Sequence, residues 1–287
     1  CGFEREGPRH ETSARVWCVC VCVCVCARAL RCWGESADAC LRAPADAGRF
    51  IFSKYPNMDE YGGRRGNIVT HPNYYGTFYL GENQGFWKST DMGTTYDLLH
   101  TFPDKVRYLQ ISYNNPLVLY ADVVNYGLYK TEDGGLTWNL KPSLCSSPYG
   151  NANWKGKLFF AISPFDENRL YACLQNGTWS SDIGKVFMSE DGGDTWDDWT
   201  GTVSDYTKNL CIQPSDNQGE IVYLFTTSRG GSLAHVYYRT PLMDDWATFD
   251  TGYPAGMSVN LAIPFFRDGK IRVAGNAGVW ESDLLEP

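Results

Sequence analysis

The sequence predicts an all-β fold built from repeated four-stranded antiparallel units, and three observations support this prediction. A short turn motif occurs three times, a strand–turn–strand pattern occurs five times, and the 287-residue chain contains 29 glycines and 15% aromatic residues. Many short strands joined by tight turns are expected to have such a composition. The chain is also long enough to bury a large hydrophobic core.

The turn motif has the pattern Ser/Thr-x-Asp-x-Gly-x-Thr-Trp/Tyr. Its shared positions are Ser89, Asp91 and Gly93 in the first copy, Thr131, Asp133, Gly135 and Trp138 in the second, and Ser189, Asp191, Gly193 and Trp196 in the third. Each copy lies between two short strand-like runs, which predicts a hairpin turn. In such a turn the Asp accepts hydrogen bonds from backbone amides two residues on, the Gly takes a positive φ and the Trp packs on the hairpin. We therefore expect these residues to be structural.

A calcium site in these turns is not predicted, although the motif is acidic. An EF-hand loop needs more oxygen ligands at fixed spacing and a closing Glu, which the motif lacks. The sequence therefore predicts no metal site.

The strand–turn–strand pattern divides the predicted domain, residues 49–287, into units at about 66–100, 104–142, 156–200, 207–251 and 258–284. The motif Asp residues are 42 residues apart between the first two copies and 58 apart between the second and third. A repeat of this length with four strands per unit is typical of a β-propeller. The motif is degenerate in the fourth unit and missing from the fifth. About five blades are therefore visible, and we expect the propeller to be incomplete, with residues 50–55 as a candidate closing strand.

The three motif copies resemble the Asp-box, or BNR, repeat. This repeat occurs in sialidases, xyloglucan hydrolases, sortilin-type receptor domains and photosystem assembly factors. All are β-propellers with the box on the hairpin between the two outer strands of a blade. The resemblance covers about residues 66–287 and selects no single family. The ending at 278–282 is similar to the last blade of secreted bacterial proteins of this class, so the resemblance implies an extracellular or cell-surface location and favours further C-terminal modules.

Residues 1–48 form a low-complexity tail whose composition differs from that of the remaining chain. Residues 1–50 contain eight of the 11 Cys and none of the 18 Tyr, and Val and Cys alternate strictly from Val19 to Cys26. Because a long GT-dinucleotide repeat encodes this alternation, we interpret the tail as disordered or as an artefact of the assigned coding start. The alternatives are a metal site, a disulfide framework and a signal peptide. A metal site would need Cys-x-x-Cys pairs with a His partner, and a disulfide framework would need irregular Cys spacing. A signal peptide would need a basic start and a small-residue cleavage site.

The charge and hydropathy of the chain exclude several classes of partner. The net charge of −8 argues against nucleic acid and acidic membranes, because both require a basic surface. No apolar run reaches the ~18 residues of a membrane helix, so membrane insertion is not predicted. No Gly-rich loop joins a strand to a helix, and we predict no cofactor.

The candidate ligand site lies on the axial face opposite the turn motifs, where the loops between strands 2 and 3 of each propeller blade meet. Aromatic rings stack on sugar faces, and amides and carboxylates bind hydroxyl groups, so a glycan or protein ligand is expected there. The candidate ligand-binding residues are Trp154, Trp179, Asn125, Tyr126 and Arg229. Ordinary loop polarity is the alternative explanation for these residues.

A hydrolase would need two carboxylates across a groove, one as acid and one as base. Glu82, Asp122 and Asp182 are the candidates for that pair. A sialidase-like site would need three converging arginines, and only Arg229 is predicted on the correct face. An assembly factor for a photosynthetic complex would be expected to carry a basic patch, which the net charge disfavours.

The sequence therefore predicts a secreted or surface binding module for a glycan or protein, with no chemistry of its own. The alternative is a fragment of a polysaccharide hydrolase, similar to the xyloglucan hydrolases, that uses two of the three carboxylates.

Overall fold

The computed structural model describes residues 67–142, 157–175, 184–215, 219–227, 233–257, 259–265, 268–276 and 278–285. All regular secondary structure in these ranges is β-strand. The chain divides into two units, 1–64 and 65–287, and the described residues belong to the second. The N-terminal tail and the candidate closing strand at 50–55 lie outside the described residues.

The strands form five antiparallel sheets, which we call blades 1 to 5 in chain order. Blade 1 contains β1 (Asn67–Thr70), β2 (Phe78–Glu82), β3 (Gly85–Ser89) and β4 (Asp97–Thr101). Blade 2 contains β5 (Val106–Ile111), β6 (Leu119–Val123), β7 (Gly127–Thr131) and β8 (Asn139–Leu140). Blade 3 contains β9 (Lys157–Ile162), β10 (Leu170–Gln175), β11 (Val186–Ser189) and β12 (Asp197–Asp198). Blade 4 contains β13 (Tyr206–Ser215), β14 (Gly219–Thr227), β15 (Ala234–Arg239) and β16 (Ala247–Thr248). Blade 5 has three strands within the described residues, β17 (Val259–Phe265), β18 (Lys270–Gly275) and β19 (Gly278–Asp283).

The first strands of consecutive blades lie beside one another. Strand β1 contacts β5, β5 contacts β9, β9 contacts β13 and β13 contacts β17. Among the described residues, β17 and β1 share no comparably extensive contact. The predicted all-β fold, a series of about five antiparallel blades, is therefore confirmed.

The hydrophobic core lies between the blades. One cluster fills each junction between consecutive blades, and that between blades 1 and 2 includes Phe86, Phe102 and Leu109. Second strands are covered on both sides, and all five residues of β6 are buried. This arrangement explains why these strands are continuous apolar runs in the sequence rather than alternating ones.

The second strands also connect the blades through tyrosine hydroxyl groups. Tyr120 donates its hydroxyl to the backbone oxygen of Glu167 in blade 3 at 2.9 Å. Tyr171 donates to Oε1 of Glu220 in blade 4 at 2.7 Å. The Tyr223 hydroxyl accepts a hydrogen bond from the amide of Leu285, after blade 5, at 3.2 Å.

The turn motifs are held by hydrogen bonds from backbone amides to side-chain oxygens. In blade 2, Thr131 Oγ1 accepts from the amide of Gly135 at 3.0 Å, and Asp133 Oδ1 accepts from the amides of Leu136 and Thr137 at 3.0 and 2.9 Å. The other two copies repeat the bonds to the Gly and Thr positions. The Asp thus accepts from amides three and four residues on rather than two, because two left-handed residues in each turn carry the chain around a wider loop.

The motif Trp lies between blades as well as on its own hairpin. The Trp138 ring meets Phe86 and Phe102 of the preceding blade edge-on, at centroid distances of 5.1 and 5.0 Å. Its Nε1 donates to the backbone oxygen of Gly135 at 3.1 Å. The Trp therefore joins its own turn to the neighbouring blade, which the sequence pattern alone did not predict.

Candidate functional site

The candidate site is the axial face opposite the turn motifs, where β2 turns into β3 and β6 turns into β7. Four of the predicted site residues lie in the described part of this face: Glu82, Asp122, Asn125 and Tyr126. The remaining candidates lie outside the described residues: Trp154, Trp179, Asp182 and Arg229.

Glu82 is the last residue of β2 and pairs with Gly85 across a two-residue turn, in which Asn83 takes a φ of +48°. Its Oε2 atom is buried and, within the described residues, has no hydrogen-bond partner. Burial raises the pKa of this carboxyl, because a charged group loses solvation there. A carboxyl with a raised pKa keeps its proton to a higher pH than an exposed glutamic acid does.

Asp122 differs from the predicted loop carboxylate because it lies inside β6 and its side chain is fully buried. The Arg107 guanidinium, on β5, faces both of its oxygens, with Nε 2.8 Å from Oδ2 and Nη2 3.0 Å from Oδ1. Such two-point pairs hold a carboxylate in a fixed position. In the described structure Asp122 therefore connects two strands of blade 2.

Asn125 and Tyr126 form the turn between β6 and β7. Asn125 has a φ of +63°, and its Nδ2 donates to Oδ2 of Asp104 at 2.7 Å. The Tyr126 side chain is 43% exposed. Asn125 thus supports the loop, while Tyr126 presents an aromatic ring to solvent.

A further polar cluster lies at the same end of blade 4. Oδ2 of Asp205 accepts hydrogen bonds from the hydroxyl groups of Tyr237 and Thr226, each at 3.2 Å. His235 Nδ1 lies 2.9 Å from Oδ2 of Asp250. Burial, followed by the nearby Asp205 and Asp250 carboxylates, raises the pKa of Tyr237 to about 12, so its hydroxyl stays a donor.

Sequence reasoning missed this cluster because its residues come from separate segments between 205 and 250 and share no motif. The one available signal was the two-residue spacing of His235 and Tyr237, which places both on the same side of a strand. Their ring centroids are 6.0 Å apart.

The described residues include no group of three or more His, Cys, Asp or Glu arranged to hold a metal ion. In the same part of the chain, no helix has the length and apolar character needed to cross a membrane.

Comparisons with known proteins identify the architecture. No protein-family model matches the chain. A probable oligoxyloglucan-reducing end-specific xyloglucanase from Neosartorya fischeri is 25% identical over 154 residues, which are 50% of this chain and 18% of that protein. Among solved structures, the Niastella koreensis GH74 enzyme has a TM-score of 0.53 at 19% identity and covers 72% of this chain and 33% of its own. The Xanthomonas campestris GH74 xyloglucanase has a TM-score of 0.52 at 14% identity, covering 78% and 36%. YCF48 bound to D1 peptide has a TM-score of 0.51 at 17% identity, covering 76% and 62%.

The chain is a β-propeller. The GH74 enzymes and YCF48 share this architecture, with TM-scores of 0.51–0.53. At identities of 14–19% this likeness shows the fold alone. The propeller described here spans about a third of each GH74 chain and 18% of the curated relative.

Proposed function

We propose that this propeller binds a β-glucan-type glycan of the xyloglucan class at the axial face opposite the turn motifs, and that it performs no chemistry there. The proposal includes an extracellular or cell-surface location, and it treats the turn motifs as Asp boxes with a structural role. The main observation in support of this proposal is the ion pair between Asp122 and Arg107. Because the Arg107 guanidinium faces both oxygens of this buried carboxylate, Asp122 is not available as an acid or base for a sugar substrate.

The described part of the face is suited to binding sugars. Tyr126 presents an exposed ring on which a sugar is able to stack, and Glu82 contributes a carboxyl oxygen with no protein partner in the described residues. Two-carboxylate hydrolysis needs a second catalytic group, and the described candidates provide only Glu82. The similarity to xyloglucanases favours a glucan as the ligand.

The test uses the full 287-residue chain with a panel of polysaccharides that includes xyloglucan. Released reducing ends and co-sedimented protein are measured in the same tubes. We expect the protein to co-sediment with xyloglucan without release of reducing ends.

Removing the aromatic ring with Tyr126→Ala should weaken binding by about fivefold, since an aromatic contact contributes about 1 kcal/mol. Tyr113→Ala, an exposed tyrosine on the opposite face, is the matched control and should bind as the wild type does. Absence of both binding and release in a folded sample would overturn the proposal.

The second candidate function is glycoside hydrolysis with Glu82 as the general acid. The raised pKa of Glu82 favours it, because a general acid works better when it keeps its proton to a higher pH. Its partner would be Asp182, as the sequence analysis suggested. Reducing ends that appear with the wild type and disappear with Glu82→Gln, while co-sedimentation persists, would establish this function instead.

A further inference from the structure

The axial face that carries the turn motifs has six exposed apolar side chains on blades 1 and 2. They lie in the turns between strands 1 and 2 and in the motif turns: Tyr74, Tyr75, Met92, Tyr113, Leu117 and Leu136. Each is between 45% and 67% exposed. Phe165 and Leu242 are exposed in the corresponding turns of blades 3 and 4. We call the six residues on blades 1 and 2 the turn patch.

The turn patch is held together by backbone hydrogen bonds between its two kinds of turn. In blade 1 the amide of Met92 donates to the backbone oxygen of Gly76 at 3.0 Å. In blade 2 the amide of Gly134 donates to the backbone oxygen of Leu117 at 2.9 Å. These bonds hold the two turns of each blade together, so the exposed side chains of one blade lie near one another. Exposed apolar side chains that lie together are typical of a protein-binding surface.

The electrostatic surroundings of the patch are acidic. The motif carboxylates of Asp91 and Asp133 have pKa values of about 2, since hydrogen bonds from each turn favour the ionised form, and they stay charged at neutral pH. The carboxylate of Glu167, which accepts hydrogen bonds from Asn114 and Asn115 in the turn between β5 and β6, adds a further negative charge. Of the neighbouring basic groups, Lys130 is nearly buried and is paired with Glu132 at 2.6 Å, and the Lys88 ammonium lies over the Tyr79 ring at 5.6 Å.

We propose that the turn patch binds a protein segment that carries apolar side chains next to lysines or arginines. Apolar side chains would cover the exposed rings and leucines, and the basic groups would lie near the carboxylates. A second copy of this chain is disfavoured as the occupant, because a two-fold contact would place the same carboxylates against each other. This surface is separate from the proposed glycan site, which lies at the other end of the blades.

The test measures the fluorescence anisotropy of two labelled synthetic peptides, one alternating Leu with Lys and the other alternating Leu with Glu, titrated with the full chain. We expect the Leu–Lys peptide to bind and the Leu–Glu peptide to bind at least tenfold more weakly. A triple variant, Tyr75→Ser, Leu117→Ser and Leu136→Ser, should weaken the Leu–Lys complex by about tenfold or more, because it removes the apolar anchors. These side chains are exposed, so the variant should fold normally.

The matched control is Leu140→Ser, four residues from Leu136 in the same blade and 50% exposed on the outer strand β8. It should bind the Leu–Lys peptide as the wild type does, and the triple variant should retain xyloglucan binding. Equal binding of both peptides, unchanged binding by the triple variant, or no binding of the Leu–Lys peptide would each overturn the proposal. Loss of xyloglucan binding in the triple variant would assign the patch to a glycan, and concentration-dependent self-association abolished by the variant would assign it to a second copy.

Discussion

The second glycine of the blade 2 turn motif shows how single residues of this protein are constrained by the preceding blade. Gly135 has a φ of +97°, and a Cβ added to it would lie 2.0 Å from Cε1 of Phe86. Its neighbour Gly134 also has a positive φ of +74°, but its nearest side-chain contact, with Leu117, would be an ordinary 3.6 Å. Comparing substitutions at the two glycines therefore distinguishes the cost of backbone strain from the cost of crowding between blades.

We expect Gly135→Ala to destabilise the protein more than Gly134→Ala. Both variants carry the strain of a left-handed residue, roughly 1–2 kcal/mol. Gly135→Ala adds an overpacking cost of about 1–3 kcal/mol because Phe86 is fully buried and has little room to move. Urea denaturation of both variants would measure the difference, and equal losses of stability would show that Phe86 yields without cost.

At the same scale, Glu82 is expected to lower stability at neutral pH. Its folded pKa is raised above the ordinary value of 4.5, so the folded state binds a proton more tightly than the unfolded state does. Its contribution to stability is therefore present below pH 4.5 and is lost as the pH rises through the folded pKa. The Glu82→Gln variant should be more stable than the wild type at neutral pH, and the difference should vanish near pH 4. Urea midpoints at both pH values measure this, and a less stable variant at neutral pH would contradict it.

At the scale of structural elements, the ion pair between β5 and β6 shows how two strands of one blade are held together. Asp122 is fully buried in β6, and Arg107 is its partner from the neighbouring strand β5. Removing one member of a buried pair leaves the other charge uncompensated, whereas an apolar pair of similar volume is often tolerated.

We expect Asp122→Asn to lower the free energy of unfolding by about 3–5 kcal/mol. The double variant Arg107→Met with Asp122→Leu should recover most of that loss, because it removes both charges. Chemical denaturation of the two proteins gives the comparison. If Asp122→Asn is as stable as the wild type, the ion pair has no structural role. Asp122 would then again be a candidate catalytic residue.

The strand elements were easier to predict from sequence than the side chains that they position. Apolar runs and turn residues act locally, so the strands of blades 1 to 5 were visible in the chain. The role of Asp122 depends on Arg107, 15 residues earlier, and on a register shift between Val106 and Tyr108 that local patterns do not encode. Likewise, Asp205 meets Tyr237 only after blade 4 has folded. Candidate site residues chosen by loop position alone therefore included a buried strand residue and omitted the cluster in blade 4.

At the scale of the whole molecule, the blades differ in how many neighbours support them. Blades 2, 3 and 4 are each covered on both sides, whereas blades 1 and 5 have one neighbouring blade each within the described residues. In repeat architectures, stability is close to a sum of nearest-neighbour contributions.

We expect backbone amides of the first strands in the middle blades to exchange with solvent more slowly than those at either end. Strands β5, β9 and β13 should be the most protected, and β1 and β17 the least, since local opening of an end blade breaks one junction instead of two. Hydrogen exchange followed by mass spectrometry on the full chain tests this order. Uniform protection of all five strands would indicate that the end blades are covered by other parts of the chain.

The tyrosine hydrogen bonds between blades have a consequence for how such a chain changes in length during evolution. Tyr120 and Tyr171 each join their blade to the blade that follows it, and Tyr223 of blade 4 binds Leu285, just after the last strand of blade 5. Duplication or deletion of one whole repeat would therefore supply or remove a hydroxyl together with the junction that it serves. We therefore expect duplications and deletions in this chain to involve complete repeats. An insertion of part of a repeat would leave a tyrosine hydroxyl without a correctly placed partner.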